Sequence, residues 1–141
     1  MAIKQLSVFL ENRPGRLDAM TKILADAGIT LRALSLAETK DFGIARIIVD
    51  DVEETSAVLK NNDYVSSKTP VVVVQIPDVV GGLNKVLTAL TAAGDNVEYM
   101  YSALAGGEGG SAYMILRVAN TKKAEEALRS AGFKLVEKFP D

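Results

Sequence analysis

Slid along itself by 66 residues, the chain meets a second copy of its own pattern. Residues 8–37, VFLENRPGRLDAMTKILADAGITLRALSLA, align without a gap on residues 74–103, VQIPDVVGGLNKVLTALTAAGDNVEYMYSA. The identical pairs are Val8/Val74, Gly15/Gly81, Leu17/Leu83, Leu24/Leu90, Ala27/Ala93, Gly28/Gly94 and Ala37/Ala103. Chance matches in an Ala- and Leu-rich chain would scatter, whereas these fall on glycines and on apolar positions in phase. With a loop three residues longer in the second copy, the match resumes at Val49/Val118, Leu59/Leu128 and Tyr64/Phe133. A duplicated unit folds the same way twice, so each element must make sense at two places in the chain.

The elements follow from the periodicity of the shared positions. Leu6, Val8 and Leu10, matched by Val72, Val74 and Ile76, alternate as a strand with one buried face does. The continuous apolar run 71–74 predicts cover on both faces of the second copy's strand. Leu17, Met20, Leu24 and Ala27, matched by Leu83, Val86, Leu90 and Ala93, have the spacing of one helix face. Gly28 and Gly94 follow as stops. Extended segments are predicted at 31–38 and 43–49, and again at 97–104 and 111–118. A second helix then buries Val52 and Leu59, or Ala124 and Leu128, and short closing strands follow at about 65–69 and 134–138.

The order β-α-β-β-α-β, twice, predicts an α+β chain of two tandem ferredoxin-like units. Each has an antiparallel four-stranded sheet with its helices on one face. Lys68-Thr69-Pro70 marks the expected boundary, giving units 1–69 and 70–141, too closely joined to hang apart on a linker. Units of about 70 residues bury proportionally little surface, so pairing or oligomerisation is a natural source of further stability.

Composition narrows the chemistry. The 141 residues include no cysteine, which excludes disulfides and thiolate chemistry, and no histidine, the commonest general base and transition-metal ligand. Net charge is −2, and the longest basic run is Lys122-Lys123, which argues against nucleic acid as a partner. The opening MAIKQLSVFLENRP turns polar too soon for a signal peptide, and no apolar run is long enough to span a membrane. The expectation is a cytoplasmic protein with no cofactor and no metal.

The loop before each first helix, ENRPGRL at 11–17 and PDVVGGL at 77–83, is where function concentrates. The first N–H groups of a helix have no internal acceptor. Asn12 or Asp78 is placed to cap some of them, Pro14 pre-sets φ near the helix start, and Gly15 and Gly81 allow a close backbone approach. Taken alone, the motif reads first as a well-made strand-to-helix turn. The same donors and the helix dipole also form a site suited to a carboxylate, with the polar side chain taking an ammonium group.

Asn-Arg-Pro-Gly-Arg-Leu between a strand and an amphipathic helix, followed by Gly28-Ile29-Thr30-Leu31, resembles the ACT domain. These ferredoxin-like modules bind amino acids and occur in biosynthetic enzymes and in free-standing regulators. The resemblance extends over nearly the whole chain. It implies a ligand between modules, held by the first loop of one and the second strand of its neighbour. Carried across, it implicates Asn12, Arg13, Pro14, Gly15, Arg16 and Leu17 with Thr30, and Asp78, Val79, Val80, Gly81, Gly82 and Leu83 with Asn96. The second copy departs from the motif, with Asp78 for asparagine and Val80 for proline. A carboxylate beside a carboxylate ligand is unfavourable, so the two loops need not bind alike.

Three other features have plainer explanations. AGGEGGS (105–111) precedes a strand rather than a helix, so it is a hairpin loop and not a phosphate loop. Tyr99, Met100, Tyr101 and Tyr113 belong to the second copy's middle strands, Tyr99 and Tyr101 on one face and Met100 on the other. The acidic run Asp50-Asp51-Val52-Glu53-Glu54 sits at the positive end of a helix and lacks the pattern of a calcium loop.

The leading expectation is a non-catalytic regulator of two ACT-like modules that binds a small amino acid at the interface between modules and pairs as a homodimer. The amino acid shifts the arrangement of modules and so alters an enzyme of amino-acid metabolism. The alternative is a regulatory subunit acting by protein contact, with degenerate ligand sites. A small enzyme would need Asp, Glu, Lys or Tyr for its acid–base work, and no carboxylate pair recurs in both loops.

Overall fold

The computed structural model describes residues 3–38, 40–104 and 108–140. The chain divides into two compact units, one of Lys4–Thr69 and the other formed for the most part by the residues from Pro70 onward. The first unit contains β1 (Ile3–Glu11), α1 (Arg16–Asp26), β2 (Ala33–Glu38), β3 (Phe42–Ile48) and α2 (Val52–Asn61). Its strands lie in the order β2-β3-β1, all antiparallel, with Ala45 opposite both Val8 and Leu36. Val65 closes the far edge, where its carbonyl accepts from the N–H of Phe9 at 3.0 Å.

The second unit repeats this with the strand that ends at Pro77, β4 (Ser66–Pro77). It is followed by α3 (Gly82–Ala92), β5 (Val97–Ser102), β6 (Ser111–Val118), α4 (Thr121–Ser130) and β7 (Lys134–Leu135). The strand order β7-β4-β6-β5 is the counterpart of the first unit's, again antiparallel. The ferredoxin-like arrangement expected from the sequence is therefore present twice. Of the hairpin loop 105–111, Ala105, Gly106 and Gly107 lie outside the described residues. Glu108–Gly110 form a short 3-10 turn that leads into β6.

Each core fills the space between sheet and helices. In the first unit Leu6, Val8 and Leu10 of β1 and Ala45 and Ile47 of β3 meet Met20 and Leu24 of α1 and Leu59 of α2. In the second, Val72, Val74, Ile76, Leu116 and Val118 meet Val86, Leu90, Ala124 and Leu128. Each buried Leu or Ile contributes on the order of 1.5–3 kcal/mol relative to exposure. Met100 faces this core, as the alternation requires. Leu83 departs from the expected helix face and is exposed, as is Ala27, which is the C-cap residue of α1. The helical period places both at an end of the buried stripe.

The helix ends show how strictly the duplication holds. Past α1, Gly28 at φ +74° donates to the Ala25 carbonyl and Ile29 to that of Leu24. Past α3, Gly94 at the same φ donates to Thr91 and Asp95 to Leu90. Both are Schellman motifs, which satisfy carbonyls that the helix leaves unpaired. The second helix of each unit starts on a side-chain cap. Asp51 accepts from the Glu54 N–H at 2.9 Å, and Asn120 accepts from the Lys123 N–H at 3.1 Å. The acidic run is accounted for by this cap and by Asp50, which holds Arg32 through two hydrogen bonds of 3.1 and 2.8 Å.

The closing strands differ from expectation. Lys134–Leu135 is shorter than 134–138, and β4 runs unbroken through Thr69 and Pro70. Proline removes one donor but has a φ that extended backbone accepts. Pro70 also stands two residues ahead of Val72, where the pairing of β4 with β6 begins.

Candidate functional site

Each first helix is entered through a tight turn. In the first unit the Arg16 N–H donates to the Arg13 carbonyl at 3.3 Å across Pro14 and Gly15, and Gly15 has φ +84° and ψ −7°. In the second, Gly82 donates to Val79 at 3.0 Å across Val80 and Gly81, and Gly81 has φ +81° and ψ 1°. Those angles are the third position of a type II turn, which requires φ > 0, and proline at the second position suits it. Pro14 therefore belongs to the turn and not to the first helical residue. Gly15 and Gly81 are needed for their backbone angle, since a Cβ at either would meet nothing within 4 Å. The close approach belongs to Gly82, whose Cβ would lie 2.4 Å from the Pro77 carbonyl oxygen.

This geometry corrects the expected cap. The N-cap positions of α1 and α3 are Gly15 and Gly81, which have no side chain to offer. The first intrahelical bonds run from Ala19 to Gly15 and from Lys85 to Gly81. Asn12 and Asp78 instead lie three residues earlier and tie the loop to the neighbouring hairpin. The Asn12 N–H donates to Asp41 at 3.0 Å and its side-chain amide to the Lys40 carbonyl at 3.4 Å, while the Asp78 N–H donates to Gly110 at 3.1 Å. Each unit thus caps its second helix with a side chain and begins its first on a bare glycine, with the positive end of the dipole at an exposed loop.

The charges around the two loops diverge. In the first, Glu11 draws both arginines together: Arg13 Nη2 lies 2.5 Å from Glu11 Oε2, and Arg16 Nη2 lies 3.8 Å from Glu11 Oε1. Within residues 11–17 two guanidinium groups stand against one carboxylate, and Asp18 adds a second carboxylate in the first turn of α1. Glu11 was not among the expected site residues, although an acid two and five residues before the arginines was visible in ENRPGR. The second loop has Asp78 as its one charge and exposes Val79, Val80 and Leu83. It offers an apolar surface where the first offers a charged one.

Asn12, Arg13, Pro14, Gly15, Arg16 and Leu17 are brought together, as are Asp78, Val79, Val80, Gly81, Gly82 and Leu83. Thr30 is not beside the first loop within its own unit. It follows α1, whose 11 residues put about 16 Å between the helix ends. There Thr30 lines a polar cavity of about 220 Å³ with Gly28, Asp50, Asp51, Glu54 and Thr55. Asn96 holds the equivalent place, its carbonyl accepting from Ala119 at 3.1 Å. Tyr99 and Tyr101 are half-buried on the sheet face opposite the helices, and Tyr113 is buried there. Among the described residues no group of His, Cys, Asp and Glu is disposed to hold a metal ion. Nor, among the described residues, is any helix long and apolar enough to cross a membrane.

Comparison with known proteins places the chain. The family model described as an ACT domain pair matches residues 1–138. The crystal structure of protein BT0572 from Bacteroides thetaiotaomicron is 42% identical, with a TM-score of 0.89, covering 96% of this chain and 92% of that one. The ligand-free regulatory subunit of aspartate kinase from Thermus thermophilus is 17% identical, with a TM-score of 0.70 and 93% of each chain covered. The corresponding subunit from Thermus flavus is 15% identical, with a TM-score of 0.64 and 94% of each covered. No curated protein matches.

Proposed function

The chain belongs to the ACT domain family, as an ACT domain pair, and we propose that it is a non-catalytic regulator that binds a small amino acid through the loop Asn12–Leu17. The observation that carries this reading is the contrast between helix starts. Both second helices are capped by a side chain, while both first helices start on a left-handed glycine at an exposed turn. Donors presented by such a helix start suit a carboxylate, and Arg13 and Arg16 add positive charge in the first unit alone. The ammonium end of the amino acid is met by Glu11 or by the side-chain oxygen of Asn12.

The regulatory role draws on the family and on two structural neighbours that are, by name, regulatory subunits of aspartate kinase. By the same reading the protein responding to the amino acid is a separate enzyme of amino-acid metabolism. Ligand binding works by favouring one conformation over another, which requires differential affinity for the two. The second loop supports a different use. Its Asp78 opposes a carboxylate, and its exposed Val79 and Val80 suit contact with a protein.

Calorimetric titration of the full chain with each of the twenty amino acids tests the proposal. Saturable heat from at least one, with affinity weakened about tenfold or more by Arg13→Gln with Arg16→Gln, supports it. The absence of heat from every amino acid at millimolar concentration contradicts it.

A further inference from the structure

The two units part company after their closing strands. After Val65 the chain runs on into β4, whereas after Leu135 it bends back over the sheet face turned away from the helices. Val136 anchors the returning segment by donating to the Val73 carbonyl at 2.8 Å. Phe139 then packs edge-on against Tyr113, with ring centroids 5.5 Å apart and ring planes at 90°.

This segment and the sheet bound an open cavity of about 370 Å³, within the range of about 300–1,000 Å³ that small-molecule sites occupy. Its floor is a row set by the strand register, in which Tyr113, Gln75 and Lys134 lie side by side across β6, β4 and β7. The cavity has an apolar corner, made by the perpendicular rings of Tyr113 and Phe139. A flat ring placed there can lie against one of them and meet the other edge-on.

The polar groups of the cavity favour an anion. Among the described residues its lining has two cations, Lys134 and Lys138, and one anion, Glu137. Glu137 Oε1 lies 3.6 Å from Arg129 Nη2, so a cation outside the cavity answers its charge. Neither lysine has an ion-pair partner among the described residues. The Gln75 side chain donates to Ser111 Oγ at 2.7 Å, which uses one of its two amide hydrogens and leaves the other for a ligand.

We propose that this cavity is a binding site, built from residues of the second unit alone, for a small carboxylate that carries a flat apolar body. The carboxylate is met by Lys134, Lys138 and the second amide hydrogen of Gln75, in charge-assisted hydrogen bonds from the lysines. The apolar body occupies the corner between Tyr113 and Phe139. An ammonium ligand would face two lysines, and an inorganic anion would leave the aromatic corner unused. The site does not rest on amino-acid binding at Asn12–Leu17.

NMR titration of the full, nitrogen-15-labelled chain with phenylacetate tests this, with phenethylamine and inorganic phosphate as comparisons. Phenylacetate is expected to give saturable shifts at the amides of Lys134, Val136 and Phe139 and at the side-chain amide of Gln75. Lys134→Gln with Lys138→Gln, both at exposed positions, should weaken binding about tenfold or more and leave the urea midpoint nearly unchanged. Gln75→Glu, which can keep Ser111 as a partner but puts a carboxylate on the cavity floor, should weaken it at least as much. Arg13→Gln with Arg16→Gln should leave the phenylacetate affinity as it is, which separates this site from the first loop. No saturable shift at these residues up to about 10 mM phenylacetate, or equal affinity in the lysine variant, would overturn the site. Phenethylamine or phosphate binding there as tightly as phenylacetate would overturn the ligand class.

Discussion

Gly15 and Gly81, 66 residues apart, hold almost the same left-handed backbone, φ +84° and +81°, each immediately before the first helix of its unit. Everything distinctive about the two loops is built on this shared turn. A non-glycine residue there meets no clash but must adopt a disfavoured angle. Gly15→Ala and Gly81→Ala should therefore each cost about 1–2 kcal/mol in urea unfolding, and Gly15→Asn should cost less than Gly15→Ala. Equal stability of all three with wild type would remove the left-handed turn from the account.

Gly82 makes a different prediction from its neighbour. Its missing Cβ is what lets the Pro77 carbonyl approach, with Ile76 Cγ2 also within 3.3 Å of where that Cβ would be. Gly82→Ala should cost about 1–3 kcal/mol by overpacking against backbone. Arg16→Ala, at the equivalent place in the first unit, already has a Cβ and should fall within about 0.5 kcal/mol of wild type, as exposed substitutions do. A neutral Gly82→Ala would mean that the loop shifts freely.

The side-chain caps should respond alike in the two units. Asp51→Ala and Asn120→Ala each remove an acceptor from a helix start and should each lose about 1 kcal/mol, read from the urea midpoint. Asp51→Asn should retain most of the stability. A loss on that scale at only one of the two sites would break the equivalence of the second helices.

Much of this was legible before the structure, for identifiable reasons. Gly28 and Gly94 stop helices by a backbone mechanism local to a few residues, so sequence spacing was enough to find them. Val8, Leu24 and Leu59, with their partners Val74, Leu90 and Leu128, kept phase through the duplication and marked both cores. What failed depended on contacts far along the chain. Asn12 has the chemistry of a cap, but the β2–β3 hairpin offers it carbonyl acceptors at Lys40 and Asp41, and nothing local announces that hairpin's position. The strand expected to end at residue 69 runs on through Pro70 as β4, because extended backbone accommodates the φ of proline. Phe139 packs against Tyr113, a contact with a distant strand that nothing in the residues around Phe139 announces.

Arg13 and Arg16 should matter to ligand and hardly to the fold. Their ion pairs with Glu11 are exposed, and pairs of that kind contribute about 0–1 kcal/mol. Replacing both with Gln should leave the urea midpoint nearly unchanged. It should weaken amino-acid binding about tenfold or more, the effect of losing a charged hydrogen bond worth roughly 1.5–3 kcal/mol. Unaltered affinity in that variant would move the carboxylate away from this loop.

The central claim is that this chain binds an amino acid, and thermal unfolding in the presence of each amino acid measures that most directly. Ligand at about a hundredfold over its Kd should stabilise the folded chain by roughly 2.7 kcal/mol. For a protein of this size that raises Tm by about 5–10 °C. The account predicts such a rise with at least one small amino acid, and a rise of about half that size or less at the same ligand concentration when Arg13 and Arg16 are replaced. An unchanged Tm with all twenty at millimolar concentration would contradict it.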